Sequence, residues 1–201
     1  PRRGRVIRGQ TIRGRHSAGG AAFISALNPI AWYRLGMGIT SVAGAVSAWA
    51  DQSGNGKTLA QGTGAAQPIL QADGSILFDG TDDILLTAAM FTQNQPVSFF
   101  MAVKQVTWAS KRLLSFTNAP TFSLFQAGIS PALRFNAGAA LSDPGSLAVN
   151  TWGVVGVVAN GVSSVISVNN TETAGDAGAN NPGAGAILAI ASDGVTFGNI
   201  A

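Results

Sequence analysis

Short apolar runs that alternate between two faces, each ended by Gly, Asn, Asp or Pro, constrain this chain more than any other feature. In VSFFMAVKQV the residues Val97, Phe99, Met101 and Val103 fall on one side of an extended backbone. Ser98, Ala102 and Lys104 fall on the other, with Phe100 as the exception. ALRFNAG repeats the pattern, with Leu133 and Phe135 set against Arg134 and Asn136. WGVVGVVANGVSSVISV places Asn160-Gly161 between two β-rich runs, and the positive φ angles this pair accepts predict a tight type I′ hairpin. Strands of this kind, separated by turns and not by helices, predict an all-β antiparallel sandwich in preference to a parallel α/β sheet.

The charge is divided along the chain. Arg2, Arg3, Arg5, Arg8, Arg13 and Arg15 make up half of the twelve basic residues, and no acid precedes Asp51. From His16 onward six basic side chains face nine acidic ones, so the body carries −3 although the whole chain carries +3. The segment PRRGRVIRGQTIRGRHSAGG has no helical apolar stripe, and residues 1–21 read as an extended basic arm ahead of a body at 22–201. A body of this size buries enough surface to fold without staples, and the absence of cysteine excludes disulfides, thiolate metal sites and cysteine nucleophiles. No apolar run approaches the length of a membrane span.

The stretch DQSGNGKT (51–58) nearly matches two ligand loops. A phosphate-binding P-loop finds its Gly56, Lys57 and Thr58 here, but Asp51 stands where the first glycine must present backbone N–H groups. A calcium loop finds Asp51, Ser53, Asn55 and Gly56, but Gly62 stands where a bidentate Glu is needed. Each motif lacks a residue its chemistry requires, so the stretch reads as a turn.

The segments AWYRLG (31–36), VSAWADQSGNGKTLAQ (46–61), QPILQADGSILFDGTDDILL (67–86) and TWGVVGVVANGVSSVISVNN (151–170) come in a familiar order. Together they resemble the concanavalin A-like, laminin-G-like jelly-roll domains found in bacterial surface proteins and in phage tail and head-decoration proteins. The family's W-x-D-x-S-G-N-G turn corresponds to Trp49, Asp51 and Ser53 to Gly56. Its proline corresponds to Pro68, its F-D-G-x-x-D strand to Phe78 to Gly80 with Asp83, and its V-N-G turn to Val168 to Asn170. The resemblance implies a jelly-roll β-sandwich over Ala22 to Ala201, with DQSGNGKT as a surface turn. It also implies that the family's closing strand is missing after GNIA. These motifs specify a fold better than a ligand.

The family includes glucanases, but glycoside hydrolysis needs two carboxylates about 5 to 9 Å apart. Glu172 is the only glutamate, and adjacent Asp82 and Asp83 would point to opposite faces of a strand. His16 is the only histidine, so no histidine-based triad can form. A non-enzymatic role is therefore expected. Some laminin-G-like domains bind calcium, and Asp79, Asp82 and Asp83 offer oxygen ligands for it; the competing reading is a turn capped by Asp side chains. For sugars, Trp32, Trp49 and Trp152 are expected in the core. Trp108, in QVTWASKR with Lys111 and Arg112 beside it, is the candidate glycan-stacking residue, the competing reading being a buried loop plug.

Two functions from different classes fit. The first is a non-enzymatic phage virion protein, anchored to other virion proteins by the six tail arginines and displaying a lectin-like module toward host-surface glycans. It would be a symmetric homo-oligomer on the virion, held by bidentate Arg contacts to acidic surfaces. The second is a secreted or surface-attached bacterial carbohydrate-binding module in the extracellular space. Nucleic acid ranks below both: six arginines would neutralise about six phosphates, but the body is acidic and the arm lacks interleaved aromatics.

Overall fold

The computed structural model describes residues 24–88, 91–107, 112–117, 121–128, 131–143, 147–182, 185–191 and 195–200. Arg2, Arg3, Arg5, Arg8, Arg13, Arg15, Trp108 and Lys111 lie outside the described residues. Within the described residues the chain is all-β, with single helical turns at 24–26, 64–66 and 161–163.

The first half contains β1 (Ile39–Val42), β2 (Ala45–Trp49), β3 (Leu59–Ala60), β4 (Ile69–Leu70), β5 (Ile76–Phe78), β6 (Ile84–Thr87) and β7 (Val97–Gln105). The second contains β8 (Arg112–Thr117), β9 (Ser123–Gln126), β10 (Leu133–Asn136), β11 (Ala140–Ser142), β12 (Trp152–Ala159), β13 (Ser164–Val168), β14 (Thr171–Gly175), β15 (Ile187–Ala191) and β16 (Val195–Ile200). All the pairings are antiparallel, and they run β11-β10-β9-β8-β15-β6-β3-β2-β4-β5-β16-β7-β12-β13-β14, with β1 beside β2. The ladder folds over at β2, which pairs with both β3 and β4, and its far ends meet where β11 packs on β13 and β14. Two packed sheets result, a β-sandwich as the alternation predicts.

The period-2 faces fall where expected. Phe99, Met101 and Val103 are buried and face Leu133 and Phe135 of the other sheet, while Phe100 and Arg134 point outward. Phe91, Phe116, Phe122, Phe135 and Phe99 form a relay of edge-to-face rings, with centroids 5.3, 5.4, 5.1 and 5.8 Å apart, that ties the sheets together. Each such contact adds about 0.5–1.5 kcal/mol beyond its buried area.

One turn corrects the sequence-based expectation. The β12–β13 hairpin exists, with Val155 opposite Val168, but its loop is not type I′, because Asn160 has φ −153° and only Gly161 is left-handed at +56°. Long-range and side-chain bonds dictate this loop: Gln95 Oε1 accepts the Gly161 N–H at 2.6 Å, and Ser164 Oγ accepts the Asn160 N–H at 2.9 Å. The two-residue left-handed turn lies at the next hairpin, where Asn169 (φ 49°) and Asn170 (φ 68°) join β13 to β14. Both positions are asparagines, whose short polar side chain tolerates this region.

Candidate functional site

The DQSGNGKT turn is organised around one carboxylate. Asp51 Oδ1 accepts the backbone N–H groups of Trp32 and Ser53, each at 2.9 Å. Its Oδ2 accepts the Ser53 hydroxyl at 2.7 Å and the Lys57 N–H at 3.0 Å. All four lone-pair directions of the carboxylate are thereby used. Burial pushes Asp51 up, but the bonds from Ser53, Lys57 and Trp32 outweigh it and hold the carboxyl below its ordinary value. Gly54, at φ +89°, carries the chain through the left-handed region. The Lys57 ammonium lies 4.9 Å from the centroid of Phe91. Tyr33, packed against Trp49 with tilted rings whose centroids are 5.5 Å apart, donates its hydroxyl to the Lys57 carbonyl, and burial pushes that phenol strongly up. The geometry is that of a rigid turn pinned to the core, with its carboxylate oxygens unavailable to a metal.

Asp79, Asp82 and Asp83 do converge, with ligand oxygens from all three within 4.8 Å of one another. Asp79 and Asp82 are exposed and Asp83 is buried. Two of the three also hold the backbone: Asp83 Oδ2 accepts the Asp79 N–H at 2.8 Å, and Asp79 Oδ1 accepts the Thr81 N–H at 2.7 Å. Burial raises the Asp83 carboxyl, the Asp79 N–H lowers it, and the neighbouring charges of Asp79 and Asp82 raise it further. Three hard oxygen donors fit a calcium ion in type, though two of the carboxylates already serve the turn.

The tryptophans divide differently from the sequence-based expectation. Trp32 and Trp49 are buried, and Trp49 Nε1 donates to the carbonyls of Arg34 and Met37 at 3.1 Å. Trp152 is 41% exposed, a correction to its expected core position. The reason lies in the parity of β12. Its inward set is Gly153, Val155, Val157 and Ala159, and there is no space for a ring at the first of these, where even a Cβ would come within 2.4 Å of Leu147 Cδ1. Trp152 therefore sits on the outer face of the sheet with Lys104 Nζ 5.4 Å from its ring centroid. Phe100 (50% exposed) and Val154 (58% exposed) share that face. Period 2 groups Trp152 with Val154, Gly156 and Val158 and separates it from Val155 and Val157, but each set holds two valines, so the spacing alone does not say which set faces outward.

Of the earlier glycan-binding candidates, Arg112 is exposed at the start of β8, while Trp108 and Lys111 lie outside the described residues. A separate apolar cavity of about 380 Å³ lies at the end of β7, lined by Phe91, Phe99, Phe116, Phe122 and Leu188 beneath the segment 24–31. Its lining is mostly apolar, with Asn28, Gln93 and Ser98 among the few polar residues. Among the described residues no helix is long and apolar enough to cross a membrane.

No protein-family model matches the chain, and no curated protein matches it. Among solved structures it is similar to Trypanosoma rangeli sialidase in complex with sialic acid, at 12% identity and TM-score 0.58 over 85% of this chain and 30% of the sialidase. A second structure of that sialidase gives 14% identity and TM-score 0.55, over 85% of this chain and 29% of the other. The native heptameric SAP-like pentraxin from Limulus polyphemus gives 15% identity and TM-score 0.48, over 63% of this chain and 74% of the pentraxin. The chain thus spans under a third of the sialidase's length, and the likeness to that sialidase is one of fold.

Proposed function

We propose that this chain is a non-enzymatic, lectin-like recognition module, carried on a phage virion as a tail or head decoration by its arginine-rich arm and directed at host-surface glycans. The observation that carries the non-enzymatic part is how its acids are used. Six of the nine accept a backbone N–H: Asp51, Asp73, Asp79, Asp83 and Asp176 from a donor within four residues, and Asp143 from Leu133 at the start of β10. Carboxylates engaged in this way hold loops in shape and are poorly placed to exchange protons with a sugar bond.

The anchoring part rests on the charge division: six arginines in the first fifteen residues precede a body of opposite net sign. Such an arm suits an acidic partner surface, where guanidinium groups form bidentate bonds that order the segment on assembly. The second reading, a secreted or surface-attached bacterial carbohydrate-binding module, accounts for the body equally well and gives the arm no task.

The test mixes arm variants with particles lacking this protein and counts the copies retained after washing at several salt concentrations. Removal of Pro1 to Gly20 should abolish retention and leave the melting temperature of the body nearly unchanged. Replacing the six arginines by Lys should recover only part of the binding, because charge is kept and fork geometry is lost. Full retention of the arm-deleted protein would move the secreted module to first place.

A further inference from the structure

The outer face of β7, β12, β13 and β14 is assigned no role by the fold, and it combines exposed rings with polar groups in register. Lys104 is opposite Trp152, Ala102 is opposite Val154, and Phe100 is opposite Gly156. The last row continues through Ser167 to Glu172. Phe100, Trp152 and Val154 are 50%, 41% and 58% exposed, an uncommon concentration of apolar surface on the solvent side of a sheet. The two rings are seated by specific features. Lys104 holds the indole through a cation–π contact at 5.4 Å, and the absence of a side chain at Gly156 lets the Phe100 ring lie across β12, where a Cβ would meet its Cδ1 at 2.9 Å.

We infer that this face is a glycan-binding platform, with Trp152 and Phe100 as stacking rings, Val154 as the floor between them, and Lys104, Ser167 and Glu172 as hydrogen-bonding groups at the edges. The inference rests on the glycan-recognition reading above and names the site for it. The chemistry is that of a sugar chain, whose rings present C–H faces to aromatics and hydroxyls around their rims. A purely apolar partner would desolvate the Lys104 and Glu172 charges without offering either a hydrogen bond. Phe100 lies four residues along β7 from the Lys104–Trp152 row, about 13 Å at the rise of a strand. That span exceeds one pyranose ring, and the face is open along the strands, so the ligand class is an oligosaccharide or the interior of a polysaccharide, not a single terminal sugar.

The experiment runs the full-length protein on native gels containing a soluble polysaccharide: β-1,3-glucan, β-1,4-mannan, xylan or dextran in separate gels. Retardation by at least one is expected, and Trp152→Ala should weaken it about ten-fold or more, as truncation of an aromatic anchor does. Val154→Lys, a change at an exposed position that leaves both rings in place, should weaken it comparably with the melting temperature kept. Trp108→Ala, at the other candidate stacking residue, separates the two sites. If Trp108→Ala abolishes retardation and the Trp152 and Val154 variants keep it, the platform is overturned while glycan recognition stands. If no gel retards the wild-type protein, and sedimentation shows self-association that Val154→Lys removes, both fall and the face is an interface between copies.

Discussion

Asp51→Ala should be the most damaging single change in the DQSGNGKT turn, and its size follows from the bond count. Four donors converge on this carboxylate: three backbone N–H groups and the Ser53 hydroxyl. Hydrogen bonds to a charged acceptor are worth about 1.5–3 kcal/mol each, or roughly 6–12 kcal/mol for four if sealed from water. Asp51 is half-buried and water can reach some of the freed donors, so less than half of that survives, about 3–4 kcal/mol. At about 2–4 °C per kcal/mol for a domain of this size, the melting temperature should fall by roughly 10 °C.

Lys57→Ala keeps its backbone N–H and loses the contact with Phe91, worth about 0.5–1 kcal/mol. The pH dependence supplies a second readout. A folded pKa held below the unfolded value of about 3.9 contributes stability that is complete above that pH and is lost as pH falls toward the folded pKa. Asp51→Asn should therefore flatten the acid limb of the stability profile. Urea unfolding of the three variants between pH 2 and 7 measures both effects. A Lys57→Ala loss equal to that of Asp51→Ala, or a nucleotide-binding signal that Lys57→Ala abolishes at unchanged stability, would refute the turn and restore the phosphate loop.

Asp83 has the opposite sign. Its folded pKa is raised, so its contribution to stability is lost as pH rises from about 3.9 through the folded value, and Asp83→Asn should gain on the wild type from pH 4 to 7 in urea unfolding. Calcium at millimolar concentration should shift the melting temperature by less than about 1 °C, because Asp79 and Asp83 already accept backbone bonds; a rise of several degrees that Asp82→Ala removes would establish a calcium site. Gly54→Val and Gly80→Val place a β-branched residue at φ +89° and +86°, and each should cost at least about 1–2 kcal/mol by chemical denaturation.

Local features were legible before any packing was known. Alternation over Val97 to Val103 and at Leu133 and Phe135 placed the inward faces correctly, because a strand's side-chain period is fixed by its backbone. The Asp51 turn was legible as well, since Asp, Ser and Gly at those spacings bond within a few residues of themselves. Asn169-Asn170 likewise accepts left-handed backbone locally.

Packing between distant segments set what local rules leave free. The two alternating sets of β12 both contain valines, so nothing within the strand says which faces the core. Its register with β7 and β13, and Leu147 filling the space over Gly153, turned Trp152 outward. Asn160-Gly161 met the local requirement for a type I′ turn and did not form one, because Gln95, more than sixty residues away, binds the Gly161 N–H. The aspartate trio is local, but its electrostatics are not: folding buries Asp83 beside two like charges, and that burial raises its carboxyl. Strand parity and buried charge depend on which distant segments pack against a residue, and sequence spacing carries no record of that.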